Sequence, residues 1–532
     1  MSTSPSPRPV LIERLLEPAA YLHATAGIRL VETHISWVIL TGSFAYKLKK
    51  PVVLGFVDYG TLDLRRRSCE AEVAVSGRFA PELYLGVVPI TGSEAGPRIG
   101  GSGEPIEWAV KLVQFDEADR LDARFEAGRL TAADCRTLGE AIAALEERLP
   151  VAGPETPWGT GDSVLAAAAV NLAAIRAELP EAAAIVDALW AWLHEQLAKH
   201  GPLLARRKAA GRVRACHGDL HLANIVLHDG RMTPFDAIEF SDNLRWIDVA
   251  NDVAFLSMDL ESRDRPDLAA QVVSSWAEAA DDRGALPLLP VYEAYRAIVR
   301  SSIAALRAGQ GGCVDSRAEA LRYLDLAGRL SRRPQPVMVV TCGVSGSGKS
   351  TVAADLVGAL PAVRIRSDVE RKRLAGLRAT DRAGDGEAAA ALYGAEQTRR
   401  VYERLAALAA EIVAAGSSVI VDAACTRRWQ RRLLADVATA RGMPMVWLAF
   451  DVPAEAAIAR VEARRASGRD PSDASAEVVR AQLAAVEPID EDEAAEGQAV
   501  VRVSAADLET GAAAVAARVV RARDGLLSRV ER

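Results

Sequence analysis

Val337-Met338-Val339-Val340-Thr341-Cys342-Gly343-Val344-Ser345-Gly346-Ser347-Gly348-Lys349-Ser350-Thr351 decides the fold of the C-terminal part of the chain. An apolar run leads directly into G-x-x-x-x-G-K-[ST], and a helical pattern follows. Glycines let backbone N–H groups turn inward around phosphate oxygens at the positive end of a helix. Lys349 then reaches the β/γ-phosphates, and the Ser350 hydroxyl can ligate Mg²⁺. Gly343, Ser345, Gly346, Ser347, Gly348, Lys349, Ser350 and Thr351 are therefore the candidate nucleotide-binding residues. A glycine-rich turn with a surface lysine is the competing reading, and the complete match in strand–loop–helix order argues against it.

Downstream, short Val/Ile-rich segments at 363–366, 418–421, 446–450 and 500–503 alternate with long Ala/Leu/Arg/Glu segments of helical spacing, such as 398–415. That alternation predicts a parallel α/β sheet with covering helices. Open sheets of this kind place ligands at the ends of their strands. Asp422 ends one strand and suits a water-mediated grip on Mg²⁺. Asp368 follows another, placed either to accept a proton from a substrate hydroxyl or to cap a helix starting at Val369. Arg460, Arg464 and Arg465 share one helix before a Gly- and Asp-rich turn at 467–473. They can close over a transferring phosphoryl group or form a solvated face.

Upstream lies the seam Ser331-Arg332-Arg333-Pro334-Gln335-Pro336. Proline removes a donor and pushes its predecessor toward extended backbone, so 331–336 reads as a linker between domains at 1–330 and 337–532. Residues 30–115 are strand-rich, with one helical stretch at 64–79, and 116–330 are mainly helical. This is the outline of a two-lobed kinase-like fold, so the whole chain is predicted as α+β followed by α/β.

His217-Gly218-Asp219-Leu220-His221-Leu222-Ala223-Asn224 fits H-x-D-x-x-x-x-N in a chain with only four asparagines. Protein kinases use this spacing to set the aspartate against the acceptor hydroxyl and the asparagine on Mg²⁺. Asp236, twelve residues after Asn224, stands where a second metal-binding carboxylate belongs. In the strand-rich part, Ala45-Tyr46-Lys47 matches A-x-K, whose alternation puts the alanine against adenine and the lysine on the α/β-phosphates. Lys49 shares that face and competes with Lys47. Glu70 and Glu72 both offer a partner for the lysine, and the distance to the following strand favours Glu72. Only Gly42-Ser43 stands where a glycine-rich loop is expected.

These motifs carry two resemblances. Residues 217–252 resemble the aminoglycoside phosphotransferase and choline kinase branch of the kinase-like fold, with His217-Gly218-Asp219 for His-Arg-Asp and Asp236-Ala237-Ile238-Glu239 for Asp-Phe-Gly. The resemblance implies that Asp248 and Asp252 brace the catalytic loop. Residues 337–490 resemble the P-loop small-molecule kinases, a group with gluconate kinase and the zeta-toxin kinases. By that resemblance Asp368 contacts the acceptor hydroxyl and Arg371 binds substrate. The two-part arrangement is similar to a bacterial family of such fusions. Together they imply ATP and Mg²⁺ as cofactors, and Asp219, Asp368 and Lys349 as catalytic groups. Lys47 and Glu72 hold nucleotide, Asn224, Asp236, Ser350 and Asp422 hold metal, and Arg371, Arg460 and Arg464 hold substrate.

Composition sets bounds on all of this. Half of the 532 residues are hydrophobic and a quarter charged, as in an ordinary globular protein. A net charge of −7 offers no overall basic surface for nucleic acid or anionic lipid. The six cysteines are far apart, with no C-x-x-C, which argues against a disulfide framework or a cysteine metal site. No signal-like N-terminus or membrane-length apolar run is seen, so a cytoplasmic protein with a small hydroxylated acceptor is expected. Two other classes stay open: a single live P-loop kinase with a regulatory phosphotransferase-like domain, and an ATPase switch.

Overall fold

Apolar alternation splits the strand Phe44–Lys49 between two cores. Tyr46 and Leu48 pack with Ile12, Leu15, Ile39 and Ile90. Ala45, on the opposite face, packs with Leu40, Cys69 and Leu112. The computed structural model describes residues 8–54, 57–309, 314–332, 335–379, 381, 392–467, 475–489 and 497–530. Side chains are described for all of these except 314, 464–467, 529 and 530.

The chain packs as two compact units. One comprises Met1–Leu130, Leu145–Ala173 and Leu193–Asp259. Its six-stranded antiparallel sheet runs, in spatial order, Arg29–Glu32, Ser36–Leu40, Phe44–Lys49, Pro105–Val113, Tyr84–Ser93 and Gly96–Ile99. The helix Leu62–Ser76 begins at Thr61, whose hydroxyl accepts from Leu64 N, and it buries Cys69, Glu72, Val75 and Ser76. The expected helix at 64–79 is thus present. The region around residues 217–236 is built from a hairpin, Ile225–His228 with Arg231–Pro234, and a second antiparallel pair, Val213–Ala215 with Trp246–Asp248.

The other unit comprises Thr131–Ala144, Ala174–Trp192 and Leu260–Arg532. Its five-stranded sheet is parallel throughout, in the order Ala362–Arg366, Ser418–Asp422, Met338–Cys342, Met445–Asp451 and Gln498–Ser504. Every residue of the central strand Met338–Cys342 is buried, as expected where helices cover both faces. Val352 and Leu356 of the helix Lys349–Ala359 and Val515 and Val519 of Ala512–Val530 pack on it. The five segments read as strands from the sequence are all strands here.

The units do not divide at the linker. The helix Pro266–Ala279, from upstream, lies along the edge strand Ala362–Arg366 and the helix Lys349–Ala359. Ser274 Oγ accepts from Arg364 N at 2.9 Å, and Gln271 Nε2 donates to Ala354 O at 2.7 Å. The edge of the sheet is thereby covered by a helix from upstream of residue 331 that belongs to the same compact unit. Among the described residues no helix is long and apolar enough to cross a membrane.

Candidate active sites

Ala45 and Lys47 line a cavity of about 230 Å³, walled also by Leu40, Leu112, Phe115 and Phe235, with Asn224 and Asp236 among its polar groups. Lys47 Nζ lies 3.0 Å from Glu72 Oε1 and also bonds the Asp236 carboxylate. Burial opposes its charge, but Asp236 and Glu72 outweigh burial and hold its pKa well above the usual lysine value. Lys49 shares the face but sits deeper. Its ammonium pairs with Glu72 Oε2 and Glu239 Oε1, both at 2.5 Å. Glu72 therefore receives one lysine on each oxygen, whereas Glu70 pairs with Arg66 on the exposed face.

The turn that presents Asp236 is fixed from several sides. Asp236 takes φ +61°, a left-handed conformation that aspartate tolerates better than most residues. Its N–H donates to the Tyr84 hydroxyl at 3.0 Å, and Ala237 N donates to Ser76 Oγ at 3.1 Å. Phe235 N and Ile238 N donate to the carbonyls of Asn224 and His217. His217 is fully buried, with Nε2 2.8 Å from Phe235 O and Nδ1 receiving Asp219 N at 3.3 Å. Those partners require a neutral ring protonated on Nε2, in keeping with a pKa lowered by burial. Gly218 has φ +83°, and a Cβ there would lie 2.7 Å from Leu244 O.

Asp252 accepts from His217 N and Gly218 N at 2.7 and 2.9 Å. Asp248 holds Arg207 through two bonds of 2.7 and 2.8 Å and caps Ala250 N. Asp252 thus braces the loop directly, whereas the bonds of Asp248 go to Arg207 and to the start of the following helix. Asn224 Nδ2 donates to Asp219 O at 3.0 Å and to its Oδ2 at 2.9 Å. His221, which the motif reading passed over as a spacer, places Nε2 3.4 Å from Asp219 Oδ2. The short Gly42-Ser43 turn is tied down by Gln114, whose Oε1 accepts from both Thr41 N and Gly42 N at 2.8 Å.

In the second unit, a cavity of about 600 Å³ is lined by Ser345, Gly346, Gly348, Lys349, Ser350 and Thr351, and by Asp368, Arg371, Asp422 and Arg460. Lys349 Nζ donates to Val344 O at 2.6 Å, and Ser347 turns inward behind the loop. Ser350 Oγ donates to Asp422 Oδ1 at 3.3 Å, so hydroxyl and carboxylate meet where a cation is expected. Gly346 takes φ +80°, and a Cβ there would sit 2.2 Å from Ala457 O. Gly343, behind the loop, donates its N–H to Ala424 O at 2.7 Å. The helix carrying Asp368 starts at Ser367 with Arg366 as its N-cap and no side-chain cap bond, so Asp368 does not play the capping role. Arg464 lies on the helix Ala454–Ser467, but its side chain is outside the described residues, as is the turn at 468–473.

Lining groups absent from the sequence reading include Arg136, Arg364 and Gln482. Gln482 Oε1 accepts from Ser345 N at 2.7 Å, occupying an amide of the phosphate loop. None of the three stands in a motif. Among the described residues, no three His, Cys, Asp or Glu side chains cluster as a ready metal site. A cation at either cavity would draw most ligands from phosphate and water, the habit of Mg²⁺.

Residues 62–289 match the phosphotransferase enzyme family, and residues 338–489 match an AAA domain family. Over 456 residues, 85% of this chain and 88% of the relative, the chain is 30% identical to uncharacterized proteins of Mycobacterium tuberculosis and Mycobacterium bovis. The chain belongs to their family. It is a fusion of a phosphotransferase-type kinase-like domain with a P-loop kinase-like domain, the two matches lying on either side of the linker. Among solved structures, the fusion is similar to a choline/ethanolamine kinase family protein from Mesorhizobium loti, at 13% identity and a TM-score of 0.35. That likeness covers 59% of this chain and 90% of the other. It is also similar to a gluconokinase from Sinorhizobium meliloti, at 22% identity and a TM-score of 0.25, covering 37% and 99%.

Proposed function

We propose that this protein is a cytoplasmic, ATP- and Mg²⁺-dependent phosphotransferase with two sites, each acting on a hydroxyl of a small molecule. Its domains are 1–330 and 337–532. The observation that carries this reading for the first site is the meeting of Lys47, Glu72, Asn224 and Asp236, from four separate elements, at one apolar-walled cavity. Leu40, Leu112 and Phe115 suit an adenine face, and Lys47 suits the α/β-phosphates. Asp219 is assigned to accept the acceptor's proton, with Asn224 fixing one of its oxygens. Asn224 and Asp236 would hold Mg²⁺, which when bound neutralises charge on the phosphates.

For the second site, Lys349 and the loop amides suit the β/γ-phosphates, and Ser350 with Asp422 would hold the cation. Asp368 is assigned to orient the acceptor oxygen, and Arg371 and Arg460 to grip substrate; Arg464 is retained in that role from its sequence position. Both sites would act by positioning and charge neutralisation. A second reading, in which only the P-loop site turns over, is favoured by the Gln114 bonds that occupy the two amides of the Gly42 turn. ATP consumption by the full chain, measured with and without hydroxylated acceptors, tests the proposal. A kinase consumes ATP mainly with acceptor present, and a rate indifferent to every acceptor favours an ATPase switch.

A further inference from the structure

The P-loop cavity holds more positive charge than a triphosphate and one acceptor oxygen require. Besides Lys349 it is lined by Arg136, Arg364, Arg366, Arg371 and Arg460, against Asp368 and Asp422. Arg366 is neutralised by Glu278, with its Nε 2.8 Å from Oε2. Three of the others, among the described residues, bond only neutral groups. Arg364 donates to Ser350 O at 3.1 Å. Arg371 bonds Leu392 O at 3.0 Å and Thr398 Oγ1 at 3.3 Å, and lies 4.8 Å over the Tyr393 ring. It is only 7% exposed, yet its Nε has no partner. Buried donors are rarely left unpaired, so the guanidinium of Arg371 keeps hydrogen-bonding capacity that its neutral partners do not use.

Arg136 is the unexpected member. It comes from the helix Ala132–Glu146, within the stretch that matches the phosphotransferase family, more than two hundred residues before the P-loop. Its Nη1 donates to Gln271 Oε1 at 3.2 Å, and Gln271 in turn donates to Ala354 O on the P-loop helix. Arg136 thus lines the cavity while bridged through Gln271 to the helix that follows the P-loop, and its own acceptor is a neutral amide. A planar guanidinium in that state is suited to a phosphate or carboxylate.

We propose that Arg136, Arg364 and Arg371 form an anion subsite beside the transfer point, so that the acceptor of the P-loop site is a hydroxylated molecule that also bears a phosphate or carboxylate. The proposal rests on the P-loop cavity being a kinase site, and it makes that site composite. A helix from the phosphotransferase-family stretch of the chain, packed in the same compact unit as the P-loop, supplies part of the acceptor specificity.

The test is a calorimetric titration of the full chain saturated with Mg-ADP, which fills the phosphate loop. The probes are glycerol 3-phosphate, glycerate and glycerol, with inorganic phosphate as a bare anion. At least one charged probe binds about tenfold or more tightly than glycerol, and Arg136→Gln weakens that binding about tenfold while leaving ADP affinity unchanged. Arg136→Lys restores part of it. Arg136 is half-buried, so its variant is expected to fold, and Arg364→Gln serves as the second variant. Glycerol binding as well as the anions, no anion binding, or anion affinity unaltered by Arg136→Gln overturns the subsite. Failure of the wild-type chain to bind ADP overturns the kinase reading beneath it. A loss of thermal stability in Arg136→Gln with no change in anion affinity means that Arg136 only braces Gln271.

Discussion

Lys47 and Lys49 lie two residues apart on one strand face, and they are expected to fail in opposite ways when replaced. Lys47 lines the cavity, and Asp236, one of its two partners, is 41% exposed at the side chain. In Lys47→Met, Glu72 keeps Lys49, and Asp236 is left with water. Folding should be little affected, while nucleotide binding at the first site is lost. Lys49 is 1% exposed and pairs with Glu72 and Glu239, which are 0% and 5% exposed. In Lys49→Met, Glu239 keeps, among the described residues, the neutral donors Tyr59 and Ser68, at 3.1 and 3.3 Å. Stranding a buried charge in this way costs about 3–5 kcal/mol. At about 2–4 °C per kcal/mol for a unit of this size, the corresponding melting transition should fall by about 6–20 °C. Lys49→Met combined with Glu239→Gln should recover much of that loss, because the stranded carboxylate is gone. Scanning calorimetry of the full-length variants, with an ATP titration in a Lys349→Ala background, reads both effects. A Lys49→Met protein as stable as wild type, beside a Lys47→Met protein that melts early, would refute the assignment of depth and role.

Gly346→Ala sets a methyl 2.2 Å from Ala457 O at a left-handed φ, so the phosphate loop must shift. ATP affinity of the P-loop site should drop more than about tenfold, and calorimetric binding equal to wild type contradicts the loop geometry. Burial lowers the His217 pKa in the folded chain, so below about pH 6.5 the unfolded chain takes up a proton that the folded ring refuses. Stability should therefore fall as pH drops from that value through the folded pKa. His217→Gln should lose less in melting temperature between pH 7.5 and 5.5 than wild type does, and an equal loss excludes a neutral buried ring. In a Lys349→Ala background, Asp219→Asn should slow transfer yet leave Mg-ATP affinity nearly intact. Asp236→Asn should weaken the Mg²⁺-dependent part of that affinity, and the reverse pattern would mean that the two roles are exchanged.

The motifs that carry backbone instructions were legible. Gly343–Thr351 states its strand–loop–helix geometry locally, because glycine, lysine and hydroxyl positions are set by the turn itself. Val/Ile runs of five residues between long helical patterns likewise announce parallel strands. The alternation of Ala45, Lys47 and Lys49 was legible as one face, but not which lysine lies deeper. Depth is set by Glu239 and Glu72, which arrive from distant elements. Gln271 and Ser274 left no signal, since a helix that caps a sheet edge far along the chain needs only an ordinary amphipathic pattern, and Arg136, on another helix, stands in no motif. Gln114 and Gln482 were invisible for a related reason: a single amide that satisfies backbone donors has no characteristic spacing. The competing N-cap role for Asp368 fell because the helix starts at Ser367, earlier than the sequence pattern implied.

The central claim is that two kinds of phosphoryl transfer occur in one chain. It is tested most directly by following the γ-phosphate of ATP into a panel of hydroxylated acceptors, using full-length wild type, Asp219→Asn, Lys349→Ala and the double variant. The account predicts that each single variant loses transfer to some acceptors and keeps transfer to others, and that the double variant loses all of it. ATP consumption that needs no acceptor and survives both substitutions would contradict it.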